Sequence, residues 1–359
     1  MERLPVNLGK DSYYIYFEES FDNLSNVLED LNIGKKLLIV TDSNVEKLYL
    51  TEVYDLLKSI GYDVGAYAFK AGEASKDMNT ILDICKACME HGMDRKSSII
   101  ALGGGVVGDM AGFAASIYMR GIDFVQVPTT LLSQSDSSVG GKTGVDFGGA
   151  KNILGAFHQP KAVYINVSTL KSLPKIEFIS GMGEVIKHGI IRDRKFFDYL
   201  IENSEKIKKL ENAVLMKMAY TNCSIKASVV ESDEKELGVR ADLNFGHTIG
   251  HAIEGYYQFK LTHGECVGLG MMAASCIAYK RGILEKSELD KIEKALTVYS
   301  FKTKVKIVNC QAVKELMNKD KKRVNGKINF ILPSEIGKVK KYNDITEAET
   351  DEALKFISS

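Results

Sequence analysis

The first half of the chain alternates short apolar, β-branched or aromatic runs with longer amphipathic stretches. The runs are YYIYF, KKLLIVTD, VGAYAF, SIIALGGG, DFVQVPTT and AVYINV, all before residue 170. Strand-length runs separated by helix-length stretches predict a largely parallel sheet with helical crossovers. After about residue 170 the pattern becomes helical, over Ile176 to Val230, Thr248 to Lys280 and Ser287 to Leu296, with a small hairpin predicted in KINFILPSEIGKVKKY. The change falls at TLKSLP, where Pro174 interrupts the chain. The expected architecture is an α/β, Rossmann-like N-terminal domain over residues 1–172 and a mostly α-helical C-terminal domain over 173–359.

Composition narrows the class. A chain of 359 residues with 45% hydrophobic content suits a two-domain globular protein. Lys plus Arg and Asp plus Glu number 47 each, so the overall charge points to no nucleic-acid partner and no acidic membrane surface. The six cysteines are too scattered for a disulfide framework, which suits a reducing cytoplasm. Cys85 and Cys88 form a C-x-x-C, but they sit in an amphipathic helical pattern, ILDICKACMEHG, and are read as core residues. MERLPVNLGKDSYY lacks the apolar stretch of a signal peptide. SSIIALGGGVVGDMAGFAASIYM is apolar, yet its central glycines and Asp109 argue against a membrane span.

Three stretches carry candidate chemistry. In ALGGGVVGDMAGFAAS a strand runs into Gly103, Gly104 and Gly105 and then a helix over Val107 to Ser116. Such a turn lets backbone amides approach a phosphate, although a simple tight turn has the same pattern. Asp42, just past a strand, adds a ribose-hydroxyl acceptor and tips the pair toward NAD. The segment VPTTLLSQSDSSVGGKTGVDFGGAKN, rich in glycine and hydroxyls, reads as a loop after a strand, and its Asp136, Lys142, Lys151 and Asn152 favour a phosphate-ester site over the alternative of a solvated flexible loop. Finally, LNFGHTIGHAIEG places His247 and His251 four apart, on one face of a helix. Spacing alone leaves open a metal-binding pair and two unrelated helix histidines.

Taken together, GGGVVGDMAGF, VPTTLLSQSDSSVGGKTGV, GMGEVIKHG, RADLNFGHTIGHAIE, HGECVGLGM and MNKDKK resemble the 3-dehydroquinate synthases of the sugar phosphate cyclase superfamily. The resemblance implies an NAD-dependent enzyme with zinc, or cobalt in its place. Its expected reaction converts 3-deoxy-D-arabino-heptulosonate 7-phosphate to 3-dehydroquinate and phosphate in the shikimate pathway. Transient oxidation, phosphate elimination, reduction, ring opening and aldol closure follow one another. Residues 1–172 would then bind NAD, and residues 173–359 metal and substrate.

By motif position the implied metal ligands are Glu184, His247 and His263, with His251 facing the substrate. NAD-contacting positions are Asp42, Asn44, Glu73, Lys76, Gly104, Gly105, Asp109, Thr129, Thr130, Leu132, Lys142, Lys151 and Thr169. Substrate positions are Asp136, Lys142, Asn152, Lys187, Lys226, Arg240, Asn244, His251 and one or both of Lys321 and Lys322. Catalytic roles are implied for His251, Glu236, Lys187, Lys142 and Asn152. Arg120 matches a residue that reaches the phosphate across a dimer interface, so a homodimer is expected. Departures from the family pattern are Cys266 and Gly183 where alanine is common, and Asp146 where asparagine is frequent. Cys266 is read as a buried small residue, because a fourth ligand would occupy the substrate's place. Rival readings are a 2-deoxy-scyllo-inosose synthase, whose substrate has no carboxylate for Arg240, a metal- and NAD-dependent polyol dehydrogenase, and a non-catalytic NAD-binding protein.

Overall fold

The computed structural model of the chain describes residues 2–236, 238–319, 323–324 and 327–359. It divides into two compact units, Met1–Leu173 with Leu215–Glu231, and Pro174–Val214 with Ser232–Ser359.

The first unit is built on a seven-stranded sheet in the order β1 (Glu2–Val6), β2 (Tyr13–Glu18), β9 (Ala162–Asn166), β6 (Asp123–Pro128), β5 (Ser98–Gly103), β3 (Lys36–Asp42) and β4 (Asp63–Phe69). β1 pairs antiparallel with β2, and the other neighbours pair parallel. Both faces are covered, which is why the strand sequences read as continuous apolar runs. Leu37 and Ile39 of β3 join a cluster with α1 (Leu24–Asp30) and α2 (Thr51–Ser59). Leu38 and Val40 point the other way, into a cluster with α3 (Met78–Glu90) and α4 (Gly105–Ile117). Each such fully buried side chain contributes roughly 1.5–3 kcal/mol. Cys88 lies in this second cluster with Cys85 packed beside it, as the amphipathic pattern of α3 predicts.

The glycine-rich segment expected as a loop is more ordered than that. After β6 comes a helical turn over Ser133–Ser137, then an antiparallel hairpin of β7 (Lys142–Phe147) and β8 (Ala150–Phe157). Gly148 and Gly149, with φ of 59° and 78°, supply the two positive-φ positions of a tight hairpin loop. Val145 packs into the α3–α4 cluster while Lys142, Phe147 and Asn152 are exposed. Small and polar residues on the solvent face hid that alternation from the sequence pattern.

The remaining helices are α5 (Lys175–Arg192), α6 (Arg194–Glu202), α7 (Ser204–Lys208), α8 (Asn212–Ser232), α9 (His247–Tyr256), α10 (His263–Lys280), α11 (Lys286–Val298), α12 (Cys310–Lys319) and α13 (Glu347–Phe356). Residues 215–231 of α8 belong to the first unit, and the other helices to the second. A short ladder of β10 (Arg323–Val324) and β11 (Lys327–Ile328) precedes the expected hairpin, β12 (Phe330–Glu335) and β13 (Lys338–Tyr342). Among the described residues no helix is long and apolar enough to cross a membrane.

Helices α5, α9 and α10 meet through glycine. A Cβ on Gly264 would lie 2.0 Å from the Ser180 carbonyl oxygen of α5, and one on Gly270 would lie 1.8 Å from that of Gly246, just before α9. Gly250 of α9 similarly faces the Cys266 carbonyl oxygen, at 2.8 Å from its would-be Cβ. Gly183 faces the backbone of Gly264, at 3.1 Å. Backbone-to-backbone approach of this kind has no room for a methyl group.

A buried carboxylate ties the periphery of this unit together. Glu288 of α11 accepts hydrogen bonds from Arg194 Nη1 and Nη2 at 2.8 and 2.6 Å, from Lys291 Nζ at 3.1 Å and from the Ile336 amide at 3.0 Å. Arg194, with the other donors, outweighs burial and holds the carboxyl at about 2. Because the folded value lies below the unfolded one, this stabilisation is present above the ordinary carboxylate pKa and is lost as pH falls through about 2. Glu288→Gln is expected to cost about 2 kcal/mol near neutrality, after allowing for the partial exposure of Arg194. Urea unfolding should show the gap between wild type and variant closing from about pH 5 down to pH 2. A gap independent of pH would contradict the assignment.

Candidate functional site

In the first unit, the positions expected to meet NAD gather at the carboxyl edge of the sheet. Asp42 ends β3, Gly103 ends the adjacent β5, and Thr129 follows β6. The chain leaves β3 toward β4 on one side and β5 toward β6 on the other, so the winding reverses between β3 and β5. Open α/β sheets bind ligands at such a reversal. Gly104 caps α4 and Gly105 opens it. Added Cβ atoms there would lie 3.1 Å from Thr130 Cγ2 and 3.0 Å from Ser137 Oγ, tight against both side chains. The first amides of α4 have no intrahelical acceptors and favour an anion.

Polar contacts order this edge. Asp42 Oδ1 accepts from the amides of Asn44 at 2.8 Å and Val45 at 3.1 Å, closing the turn after β3. Thr130 and Ser133 exchange a hydroxyl contact of 2.9 Å beside Leu132. Thr169 Oγ1 accepts from Gln134 Nε2 at 3.0 Å and donates to the Asn166 carbonyl at 2.9 Å. Lys76, which follows the turn containing Glu73, donates to Asp109 Oδ2 at 2.7 Å and to Asn152 Oδ1 at 2.6 Å. Burial alone would lower its pKa, but Asp109 more than compensates and raises it. Lys226 of α8 donates to Asp136 Oδ1 at 2.5 Å and also to its carbonyl. Lys142 and Lys151 are exposed on the β7–β8 hairpin. Exposed Arg120 has φ of 70°, beside Met119 at 49°, a left-handed pair that non-glycine residues rarely adopt.

In the second unit, Glu184, His247 and His263 come from α5, α9 and α10, the three helices joined by glycine contacts. Glu184 is fully buried, and its Oε1 lies 3.5 Å from His247 Nε2 and 3.4 Å from His263 Nε2. Lys187, also buried and one turn on, contacts the other oxygen. Neither oxygen accepts a well-directed hydrogen bond. Burial would push the Glu184 carboxyl up, but Lys187, His247 and His263 outweigh it and hold the group well below the usual range. Burial and then Lys187 push His247 well below its ordinary value. The His247 Nδ1 atom lies 3.0 Å from the Phe245 carbonyl oxygen, which turns Nε2 toward Glu184.

One donor atom from each of Glu184, His247 and His263 lies within 4.8 Å of the other two, close enough to share an ion. Zinc holds nitrogen and carboxylate oxygen at about 2.0–2.2 Å in a tetrahedral array, which sets neighbouring ligand atoms about 3.3–3.5 Å apart. The two oxygen–nitrogen separations fit that array, and so does the donor set. His251, one turn beyond His247, brings its ring centroid to 5.2 Å from that of His247 and 5.8 Å from that of His263. His251, Glu254 and His263 make a second possible set, so the histidine pair on α9 does not by itself decide which ring is the ligand. Cys266 belongs to none of the sets among the described residues.

Glu254 is a residue that the sequence reading passed over. Its buried carboxylate lies 3.7 Å from His263 Nδ1, and its place three residues after His251 was the available signal. Burial lowers the His263 pKa, but Glu184 and Glu254 prevail and carry it up to about 9. The segment before α9 carries Glu236, with φ of 60°, whose Oε1 lies 3.4 Å from Asn244 Nδ2. Arg240 is buried there, its amide donating to Asp233 Oδ2 at 3.0 Å and its Nη1 to the Glu234 carbonyl at 2.6 Å, which excludes a solvated surface charge. Lys321 and Lys322 lie outside the described residues.

Comparison with known proteins agrees with the family motifs. Family models described as 3-dehydroquinate synthase N-terminal and C-terminal match residues 66–180 and 181–323. A 3-dehydroquinate synthase of Acetivibrio thermocellus is 47% identical over 340 residues, 94% of each chain. Among solved structures, the 2-epi-5-epi-valiolone synthase ValA of Streptomyces hygroscopicus, with NAD+ and Zn2+ bound, superposes with a TM-score of 0.88 at 26% identity over 96% of each chain. A 2-deoxy-scyllo-inosose synthase complexed with carbaglucose-6-phosphate, NAD+ and Co2+ gives 0.88 at 24% identity, over 98% of this chain and 99% of that one, and speaks to the fold alone.

Proposed function

We propose that this chain, which belongs to the 3-dehydroquinate synthase family, converts 3-deoxy-D-arabino-heptulosonate 7-phosphate to 3-dehydroquinate and phosphate. The observation that carries the reading is 47% identity to a synthase of that name across 94% of both chains. The reaction is a phosphate-eliminating carbon–oxygen lyase step in the shikimate pathway, and the enzyme is a cytoplasmic homodimer in which Arg120 serves the partner's phosphate site.

In this reading residues 1–172, joined by residues 215–231 of α8, form the NAD-binding domain, and the rest of residues 173–359 the metal- and substrate-binding domain. Glu184, His247 and His263 hold zinc or cobalt, supported by their convergence and the match of separations to tetrahedral ligation. When bound, the ion would supply polarisation of a substrate oxygen and NAD a transient hydride acceptor. The amides at Gly104 and Gly105 receive the cofactor's phosphates, and Asp42, Asn44, Glu73, Lys76, Asp109, Thr129, Thr130, Leu132, Lys142, Lys151 and Thr169 surround it. Asp136, Lys142, Asn152, Lys187, Lys226, Asn244 and His251 orient the sugar phosphate, joined by Lys321 or Lys322. Arg240 pairs with the substrate carboxylate through its planar fork. His251 and Glu236 move protons, with Lys187, Lys142 and Asn152 assisting. Lys187 keeps the Glu184 carboxylate charged.

A substrate comparison tests the reading. The heptulosonate phosphate is expected to turn over with product identified as 3-dehydroquinate, and glucose 6-phosphate, which has no carboxylate for Arg240, is expected to release no phosphate. Turnover of glucose 6-phosphate alone would move the assignment to an inosose synthase.

A further inference from the structure

Asp146 sits at an irregularity that the proposed function leaves unused. Along the hairpin, Val145 pairs with Leu154 and Phe147 with Ala150, so Asp146 alone faces Lys151, Asn152 and Ile153. A bulge of this kind takes the middle residues out of the ladder and leaves their amides needing other acceptors. Asn152, in the middle, has φ of 50°, a left-handed conformation that asparagine tolerates better than most residues but adopts at a cost. The Asp146 carboxylate supplies the acceptor: its Oδ1 takes the Asn152 amide at 2.8 Å.

Two further bonds close the arrangement. The Asp146 amide donates to the Lys76 carbonyl at 2.9 Å, and Lys76 Nζ donates to the Asn152 side-chain oxygen at 2.6 Å. Asp146, Asn152 and Lys76 therefore form a ring in which each holds the next. Lys76 has a second anchor in Asp109, whereas the described bonds of Asn152 are those to Asp146 and Lys76.

We infer that Asp146 is a positioning residue, clamping the bulged Asn152 so that its amide side chain is presented in one orientation to the sugar phosphate. This rests on the proposed role of Asn152 in substrate binding. Asparagine at 146 keeps an oxygen acceptor in the same place, so Asp146→Asn should preserve the clamp, whereas Asp146→Ala and Asp146→Ser shorten the side chain and release it. The acceptor's position, and not its charge, is what matters in this account.

The test compares the three variants with wild type. In Asp146→Ala the KM for the heptulosonate phosphate is expected to rise about tenfold. Its NAD dissociation constant should stay within about twofold, because Lys76 keeps Asp109. Hydrogen exchange at the Asn152 amide should quicken about tenfold as its acceptor goes. Asp146→Asn should restore all three readouts to near wild type, and Asp146→Ser should follow Asp146→Ala if the alanine variant folds poorly. Unchanged exchange and KM in the alanine and serine variants would overturn the inference, as would an asparagine variant as impaired as alanine. A wild-type enzyme inactive on the heptulosonate would instead remove the reading of the reaction, leaving the exchange measurement to decide the clamp.

Discussion

His247→Ala is expected to abolish stoichiometric metal binding together with turnover, whereas His251→Ala should keep the metal and lose turnover. The distinction comes from the partners of the two rings. His247 Nε2 faces the buried Glu184 carboxylate at 3.5 Å and is oriented by the Phe245 carbonyl. Outer partners of metal-binding histidines alone change affinity by about 10–100-fold, so removing a direct ligand should exceed about a hundredfold. For His251, loss of a proton-transferring group is expected to lower kcat by about 10²–10⁴-fold. Metal content after dialysis, measured beside kcat, separates the cases. Metal lost from His251→Ala and kept by His247→Ala would favour the alternative set of His251, Glu254 and His263, whereas equal loss in both would make both rings ligands.

Gly270→Ala is the expected structural counterpart. Alanine is intrinsically better than glycine inside a helix by about 1 kcal/mol, so only tertiary packing can make this change harmful. Here the new Cβ would meet the Gly246 carbonyl oxygen at 1.8 Å and the Gly250 amide nitrogen at 2.8 Å, both backbone atoms. Helix α9 would have to move, and His247, its first residue, would move with it. A loss of roughly 3 kcal/mol, or about 6–12 °C in melting temperature, is expected, with weaker metal binding. Gly268→Ala on the same helix meets the Phe301 ring at 2.9 Å, a side chain that can give way, and should cost about 1 kcal/mol. Equal melting temperatures for the two variants would contradict the packing argument.

The physical origin of each feature explains how much of it the sequence disclosed. β3 is legible because sheet burial on both faces writes an uninterrupted LLIV into the chain. The β7–β8 hairpin is not, because its glycines and exposed lysines mask the inward Val145. Helix α13 carried a readable signal that went unused: Thr346 and Glu349 form a reciprocal capping box. Helix α8 is apolar in no single stripe, so nothing local announced that residues 215–231 join the first unit.

The same division runs through the candidate site. His247 and His251 are neighbours on one helix, and their shared face follows from helical spacing. Glu184 and His263 arrive from α5 and α10 by tertiary packing, and only the family motifs pointed to them before the fold was known. The clamp at Asn152 and the glycine contacts between helices depend on register and backbone distance, which no local pattern encodes.

Phosphate release and NADH absorbance recorded together, with the heptulosonate 7-phosphate, a catalytic amount of NAD and added zinc, separate a cyclase from a dehydrogenase. A cyclase releases one phosphate for each substrate consumed and leaves no lasting NADH, because the hydride is returned to the sugar, and this is the expected result. NADH accumulating in step with substrate, with no phosphate released, would contradict it and mark the chain as a dehydrogenase.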